Sequence, residues 1–172
     1  MGSPRYLLEY AEYLIEVGEI AFLREFGVPA LVGTTVSGRL AADKEDERRT
    51  HRKTGDDEVT PERGFRDRVW LIRKSPGAEH DKYVVIGQKA GCDIVVPEYT
   101  LSSRHAAFTS DPLATLKVAD LGSLNGTKLD GRRLQSRQIT KVPDGCTVVM
   151  GRIGFQCFTR DGFMDCLRSF ER

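Results

Sequence analysis

Residues 101–127, L-S-S-R-H-A-A-F-T-S-D-P-L-A-T-L-K-V-A-D-L-G-S-L-N-G-T, decide how the rest of this chain is read. Two polar turns, Ser102-Ser103-Arg104-His105 and Gly122-Ser123-Leu124-Asn125-Gly126, stand on either side of two strand-like runs, 106–109 and 115–119. Asn-Gly is a strong turn dipeptide because both residues accept a positive φ at little cost. If the two runs pair as a hairpin, both turns emerge at the same end of a sheet. Hydroxyls, an amide and backbone N–H groups then converge with few acids among them, which is the make-up of a small anion site. A phosphate can take several such donors at once, each hydrogen bond to a charged acceptor contributing roughly 1.5–3 kcal/mol net.

Outward from that stretch the period-two pattern continues. Val69-Trp70-Leu71-Ile72, a Ser75-Pro76-Gly77 turn, Tyr83-Val84-Val85-Ile86-Gly87 and the run 93–96 ending at Pro97 come before it. After it, 128–129 and 133–134 flank Asp130-Gly131, a hairpin composition, and 139–142, 147–150 and 153–158 complete a series of short strands. Many short strands between Gly, Pro and Asp turns predict an all-β sandwich. Trp70, Phe108, Phe155 and Phe158 read as core residues.

The ordered set Ile86-Gly87-Gln88, Cys92-Asp93-Ile94-Val95-Val96, Ser102-Ser103-Arg104-His105-Ala106, Asp120-Leu121-Gly122-Ser123-Leu124-Asn125-Gly126-Thr127, Asp130-Gly131 and Asp144-Gly145 followed by Val148-Val149-Met150-Gly151 resembles a forkhead-associated (FHA) domain over about residues 67–160. That resemblance implies an eleven-stranded β-sandwich whose loops at one end bind phosphothreonine peptides, a binding mode rather than a chemistry. On its pattern Ser102 contacts the phosphate, Ser103 is a second contact, and Asn125 holds the peptide backbone. Arg104 and Lys89 supply charge beside them. Thr100 and Leu124 line the side that reads residues beyond the phosphothreonine, often the third. His105 braces the loops from inside, and Gly87 and Gly126 support the site. The family's phosphate-binding Arg is Gln88 here, which donates hydrogen bonds but carries no charge. The alternative is therefore a phosphate-independent scaffold that docks a partner through its loops or its N-terminal helix.

Residues 1–36 form a helical segment. Tyr6, Tyr10, Tyr13, Leu14, Val17, Ile20 and Ala21 recur at three- and four-residue intervals, predicting one helix over 5–26 with Ser3 as its cap, Pro4 at its first turn and Gly27 as its stop. Glu9, Glu12, Glu16 and Glu19 make its other side acidic. Such a helix covers the sandwich, docks a partner or a second copy of the chain, or stays mobile on its own. Residues 28–32 offer a strand or an anchoring segment. Residues 37–66 read as a charged flexible linker. The span 37–68 holds nine acids, nine bases and almost no large apolar side chain before Phe65, too little to offset the entropy of ordering it. Thr50, Thr54 and Thr60 within it are available to a Ser/Thr kinase. Thr54 has Asp57 three residues on, so the phosphorylated linker itself is a candidate ligand alongside a Thr-phosphorylated partner protein. The tail, 161–172, offers a short helix or an extra strand.

Composition excludes other classes. With 26 Lys and Arg against 25 Asp and Glu, the chain has no basic excess of the kind nucleic-acid binding requires. No apolar run reaches the length of a membrane span, and the N-terminus lacks a secretory pattern, so a cytoplasmic protein is expected. Cys92, Cys146, Cys157 and Cys166 form no C-x-x-C pair and read as reduced, mostly buried thiols. No metal spacing or cofactor motif is visible, and no catalytic carboxylate accompanies Ser102 and His105, so an adaptor without enzymatic activity is expected.

Overall fold

The computed structural model describes residues 5–37, 64–77, 81–109 and 115–171. Thr50, Thr54 and Thr60, the linker around them, and Ser3 and Pro4 lie outside the described residues. Eleven strands are found among the described residues: β1 (Ala30–Val36), β2 (Val69–Leu71), β3 (Tyr83–Gly87), β4 (Ile94–Val95), β5 (Ala106–Thr109), β6 (Lys117–Asp120), β7 (Thr127–Leu129), β8 (Arg132–Arg133), β9 (Thr140–Lys141), β10 (Cys146–Met150) and β11 (Ile153–Phe158). They form a six-stranded sheet ordered β2-β1-β11-β10-β7-β8 and a five-stranded sheet ordered β4-β3-β5-β6-β9. The expected β5–β6 hairpin is present, pairing Ala106 with Asp120 and Phe108 with Val118. Asp130 and Gly131, both at positive φ, close the β7–β8 hairpin.

Alternation along the strands fills the space between the sheets. Val84, Ile86, Phe108 and Val118 of the five-stranded sheet share one core with Val148, Met150, Ile153 and Phe155 of the six-stranded sheet, all fully or almost fully buried. Phe65, Trp70 and Phe155 meet edge to face or tilted, with ring centroids 5.2–5.4 Å apart. Phe158 departs from this core and packs with the helices on the outer face of the six-stranded sheet.

The sandwich takes its first strand from ahead of the linker, a correction to the separate helical segment expected over 1–36 and to a sandwich starting at 67. β1 lies between β2 and β11, with Leu31 opposite Trp70 on one side and Cys157 on the other. Leu31 enters the inter-sheet core, while Ala30 and Val32 enter a second core beneath the helices. A strand buried on both faces reads as a continuous apolar run and so lacks alternation.

The single helix expected over 5–26 is two helices, α1 (Leu7–Val17) and α2 (Glu19–Phe26). Gly18 breaks them at φ 78°, a conformation other residues adopt at a cost. An unbroken helix would hold residues 10 and 26 about 24 Å apart at 1.5 Å per residue. The break lets α2 fold back, bringing the Tyr10 and Phe26 ring centroids to 5.2 Å. At the start of α1 the Glu9 carboxylate accepts the backbone N–H groups of Arg5 (2.7 Å) and Tyr6 (3.3 Å). The tail forms a third helix, α3 (Arg160–Arg168), capped by the Thr159 hydroxyl accepting from the Gly162 N–H. Tyr10, Leu14, Phe22, Phe26, Phe163, Met164 and Leu167 cover β1, β2 and β11, so the N-terminal helices pack on the sandwich. Cys92, Cys146 and Cys157 are buried, Cys166 is half-buried, and all four are free thiols. No helix among the described residues is long and apolar enough to cross a membrane.

Candidate functional site

The loop between β4 and β5 carries Ser102 and Ser103, and the end of β3 holds it in place. Backbone hydrogen bonds run from Gln88 N to Ser102 O (3.1 Å), Lys89 N to Ser103 O (3.4 Å) and His105 N to Ile86 O (2.8 Å). Gly87 makes this approach possible, because a side chain there would run into the Ser103 carbonyl. Leu101, buried in the inter-sheet core, anchors the loop from below. Gln88, Lys89, Ser102 and Ser103, separated by up to fifteen positions in sequence, are thus neighbours.

The second loop, between β6 and β7, is wound around one carboxylate. Asp120 is buried and accepts from Gly122 N (2.9 Å), Ser123 N (3.0 Å), Ser123 Oγ (2.5 Å) and Thr127 Oγ1 (2.8 Å). Burial alone would push its pKa up, but these donors outweigh it and hold the carboxyl below its ordinary value. Ser123 Oγ in turn accepts the Gly126 N–H at 3.0 Å, closing the turn that presents Leu124 and Asn125. Asp120 was not among the site residues expected from sequence. Its signal is an acid followed at short range by Gly, Ser and Thr donors, legible only once the acid is known to be buried.

Three contacts fasten the two loops together. Leu124 N donates to Ser102 Oγ at 3.0 Å, and Asn125 Nδ2 donates to Thr100 O at 2.8 Å. Between them the fully buried His105 accepts the Ser102 N–H at Nδ1 (3.1 Å), leaving Nε2 to donate to Gly126 O (3.1 Å). Burial, the largest influence, holds the His105 pKa below the ordinary histidine value, against the opposing effects of the Gly126 carbonyl and the Asp120 charge. With both ring nitrogens committed to backbone groups, His105 braces the loops and activates no serine hydroxyl. The Ser102 hydroxyl accepts the Leu124 N–H and keeps its own proton.

Thr100 requires a correction. It was expected to line the ligand side, but it is buried, and its hydroxyl lies between the Glu98 carboxylate, to which it donates, and Arg152 N, from which it accepts at 3.0 Å. Glu98 is itself 1% exposed and pairs with Arg152 Nε at 2.7 Å. This ion pair ties the first loop to the β10–β11 turn, and the Arg152 guanidinium lies over the Tyr99 ring, 4.5 Å from its centroid. The outward residues here are Tyr99 and, across the site, Leu124 at 75% exposure. Glu98 and Arg152 were also missed from sequence, since the pair is more than fifty positions apart.

The rim is cationic. Lys89, Ser103 and Arg104 are exposed, Gln88 and Ser102 half so, while Asp120 is buried and saturated with donors. Such a surface can take an anion. Among the described residues no group of His, Cys, Asp and Glu side chains could hold a metal ion.

A solved phosphothreonine-dependent FHA domain is 18% identical, covering 76% of this chain and 95% of its own, at a TM-score of 0.48. The FHA domain of a Chlamydia trachomatis protein is 21% identical over 52% of this chain and 83% of its own, with a TM-score of 0.44. Mycobacterium tuberculosis EmbR, solved with a low-affinity phosphopeptide, is 16% identical over 88% of this chain and 31% of its own, with a TM-score of 0.48. No curated protein matches the sequence. Residues 84–151, the span from β3 through β10 that carries both loops of the site, match the family model of the FHA domain.

Proposed function

We propose that this chain is a phosphothreonine-peptide recognition module acting as a signalling or assembly adaptor. What carries the proposal is the pair of cross-braced loops, which hold Ser102, Ser103 and Asn125 at a rim with Lys89 and Arg104 and turn the nearby acid inward. Ser102 and Ser103 would donate to the phosphate. The Asn125 amide, with one N–H already on the Thr100 carbonyl, would hold the peptide backbone. Leu124 would contact residues beyond the phosphothreonine. A Ser/Thr kinase acting on the partner would write the ligand.

One observation favours a second proposal, a phosphate-independent scaffold: Gln88 brings no charge where the FHA resemblance implies Arg. In that case the docking groups are the loops themselves or the N-terminal helices, whose outer side exposes Leu8, Ile15 and Ile20.

Titration calorimetry with matched phosphothreonine and threonine peptides separates the two. The first proposal expects binding of the phosphorylated peptide alone, weakened roughly ten- to hundredfold by Ser102→Ala, the loss of one charge-assisted hydrogen bond of about 1.5–3 kcal/mol. Equal binding of both peptides would establish the scaffold instead.

A further inference from the structure

Arg133 stands against the turn that presents Asn125. A Cβ placed on Gly126 would meet Arg133 Cζ at 2.7 Å and Nε at 3.0 Å, so the guanidinium occupies the space left by the missing side chain. Directly across the β7–β8 pair is Lys128. Thr127 is fully buried and Leu129 packs on the core, so Lys128 points outward, and an opposed strand residue shares its face. Both cations are exposed, and neither forms an ion pair with any described residue. Like charges directly opposed on a sheet are unfavourable. An anion lying between them relieves that repulsion.

We propose that Lys128 and Arg133 form a second anion subsite beside Ser102, for a carboxylate or phosphate carried on the same peptide as the phosphothreonine. The subsite rests on the phosphothreonine reading of the Ser102 loop. Its distance sets the spacing of the ligand. Leu124 N touches Ser102 Oγ, and Gly126 is two residues further, at most about 7 Å along the chain. An extended peptide advances about 3.3 Å per residue, so the second anion stands two or three residues from the phosphothreonine.

The test uses the full chain and a phosphothreonine peptide with alanine flanks. Sibling peptides carry one Asp at each of the three positions on either side, or a second phosphothreonine at the position that Asp favours. The expected result is that Asp two or three residues away, on one side, tightens binding about threefold to fivefold, as for an exposed ion pair. A second phosphate should tighten it about tenfold or more. Arg133→Gln should erase these gains while changing affinity for the alanine-flanked peptide less than about threefold, Arg133→Lys should keep most of them, and raised salt should shrink them. Thermal unfolding of Arg133→Gln at the wild-type temperature shows that lost charge, not lost packing on Gly126, is responsible. A gain at no position, or one that survives Arg133→Gln combined with Lys128→Gln, overturns the subsite alone, provided the alanine-flanked peptide still binds and Ser102→Ala weakens it. If no phosphothreonine peptide binds, the Ser102 reading fails and the subsite falls with it.

Discussion

Replacing Asp120 by Asn tests whether one buried carboxylate organises the β6–β7 turn. The substitution conserves shape, so what changes is charge and the number of acceptors. In the native turn one oxygen accepts from Ser123 Oγ and Thr127 Oγ1, and the other from the Gly122 and Ser123 N–H groups. Backbone N–H groups cannot reverse, so the new amide must direct Oδ1 at them and its NH2 at the two hydroxyls, which can rotate to accept. All four contacts then persist without the charge. Bonds to a charged group contribute roughly 1.5–3 kcal/mol and neutral ones about 1, so four such losses, partly relaxed, come to about 2–4 kcal/mol. For a chain of this length that lowers the melting temperature by roughly 5–15 °C, since 1 kcal/mol corresponds to about 2–4 °C. Differential scanning calorimetry reads the shift, and peptide titration reads a parallel loss of affinity as Leu124 and Asn125 lose their fixed placement. An Asp120→Asn protein melting within about 2 °C of wild type would refute the organising role of the charge, because rearranged neutral bonds would then hold the turn equally well.

Further expectations follow from the same geometry. Gln88→Arg should tighten phosphopeptide binding in a salt-sensitive manner if residue 88 faces the phosphate; unchanged affinity at two salt concentrations would show that it does not. Glu98→Ala leaves Arg152 without its anion and Thr100 without its acceptor, and should cost about 3–5 kcal/mol in urea-unfolding stability, whereas a loss below about 1 would make the pair dispensable. The His105 pKa is lower in the folded chain than in the unfolded one, so at falling pH the unfolded chain takes up that proton first. Stability should therefore decline as pH drops below about 6.5, the ordinary histidine value, and level off once the folded chain is protonated too. Asp93, held at about 2 where Lys74, Ser75 and Val85 outweigh the effect of its burial, adds a second decline below about pH 4. Denaturation midpoints for the His105→Gln variant that keep the first decline would assign it elsewhere.

The sandwich was legible because β10 alternates, β3 and β11 are short apolar runs, and Asp130-Gly131 and Asn125-Gly126 mark turns with their own chemistry. β1 was harder to see, being apolar on both faces, and the break at Gly18 was hidden by a stripe that keeps helical spacing across it. At the site, short-range turn geometry sets Ser102 and Asn125 on two loops that touch, with His105 buried between them. Thr100, expected on the ligand side from the resemblance alone, turns inward. Val96, Glu98 and Thr100 alternate inward, with Pro97 and Tyr99 outward, so Tyr99 is the residue turned to the rim. Asp120 and Glu98 could not be recognised as organisers from an acidic letter alone, since their roles depend on burial and on partners delivered by the fold.

The position of β1 determines where this protein can be cut. A fragment starting at residue 67 would lose an inner strand, leaving β2 and β11 with unpaired edges and the apolar sides of Phe155, Phe158 and Phe163 open to water. One limited to residues 84–151 would also lack β2 and β11. The stretch that matches the family model is thus an incomplete sandwich, and residues 30–36 belong to the same sheet as β10 and β11. Gene fusions, deletion series and binding assays on this chain should therefore keep residues 5–171 together, and shorten it, if anywhere, between Ser37 and Gly64, whose neighbours are already fastened by the Gly33 N–H on the Arg68 carbonyl and the Asp67 N–H on the Gly33 carbonyl.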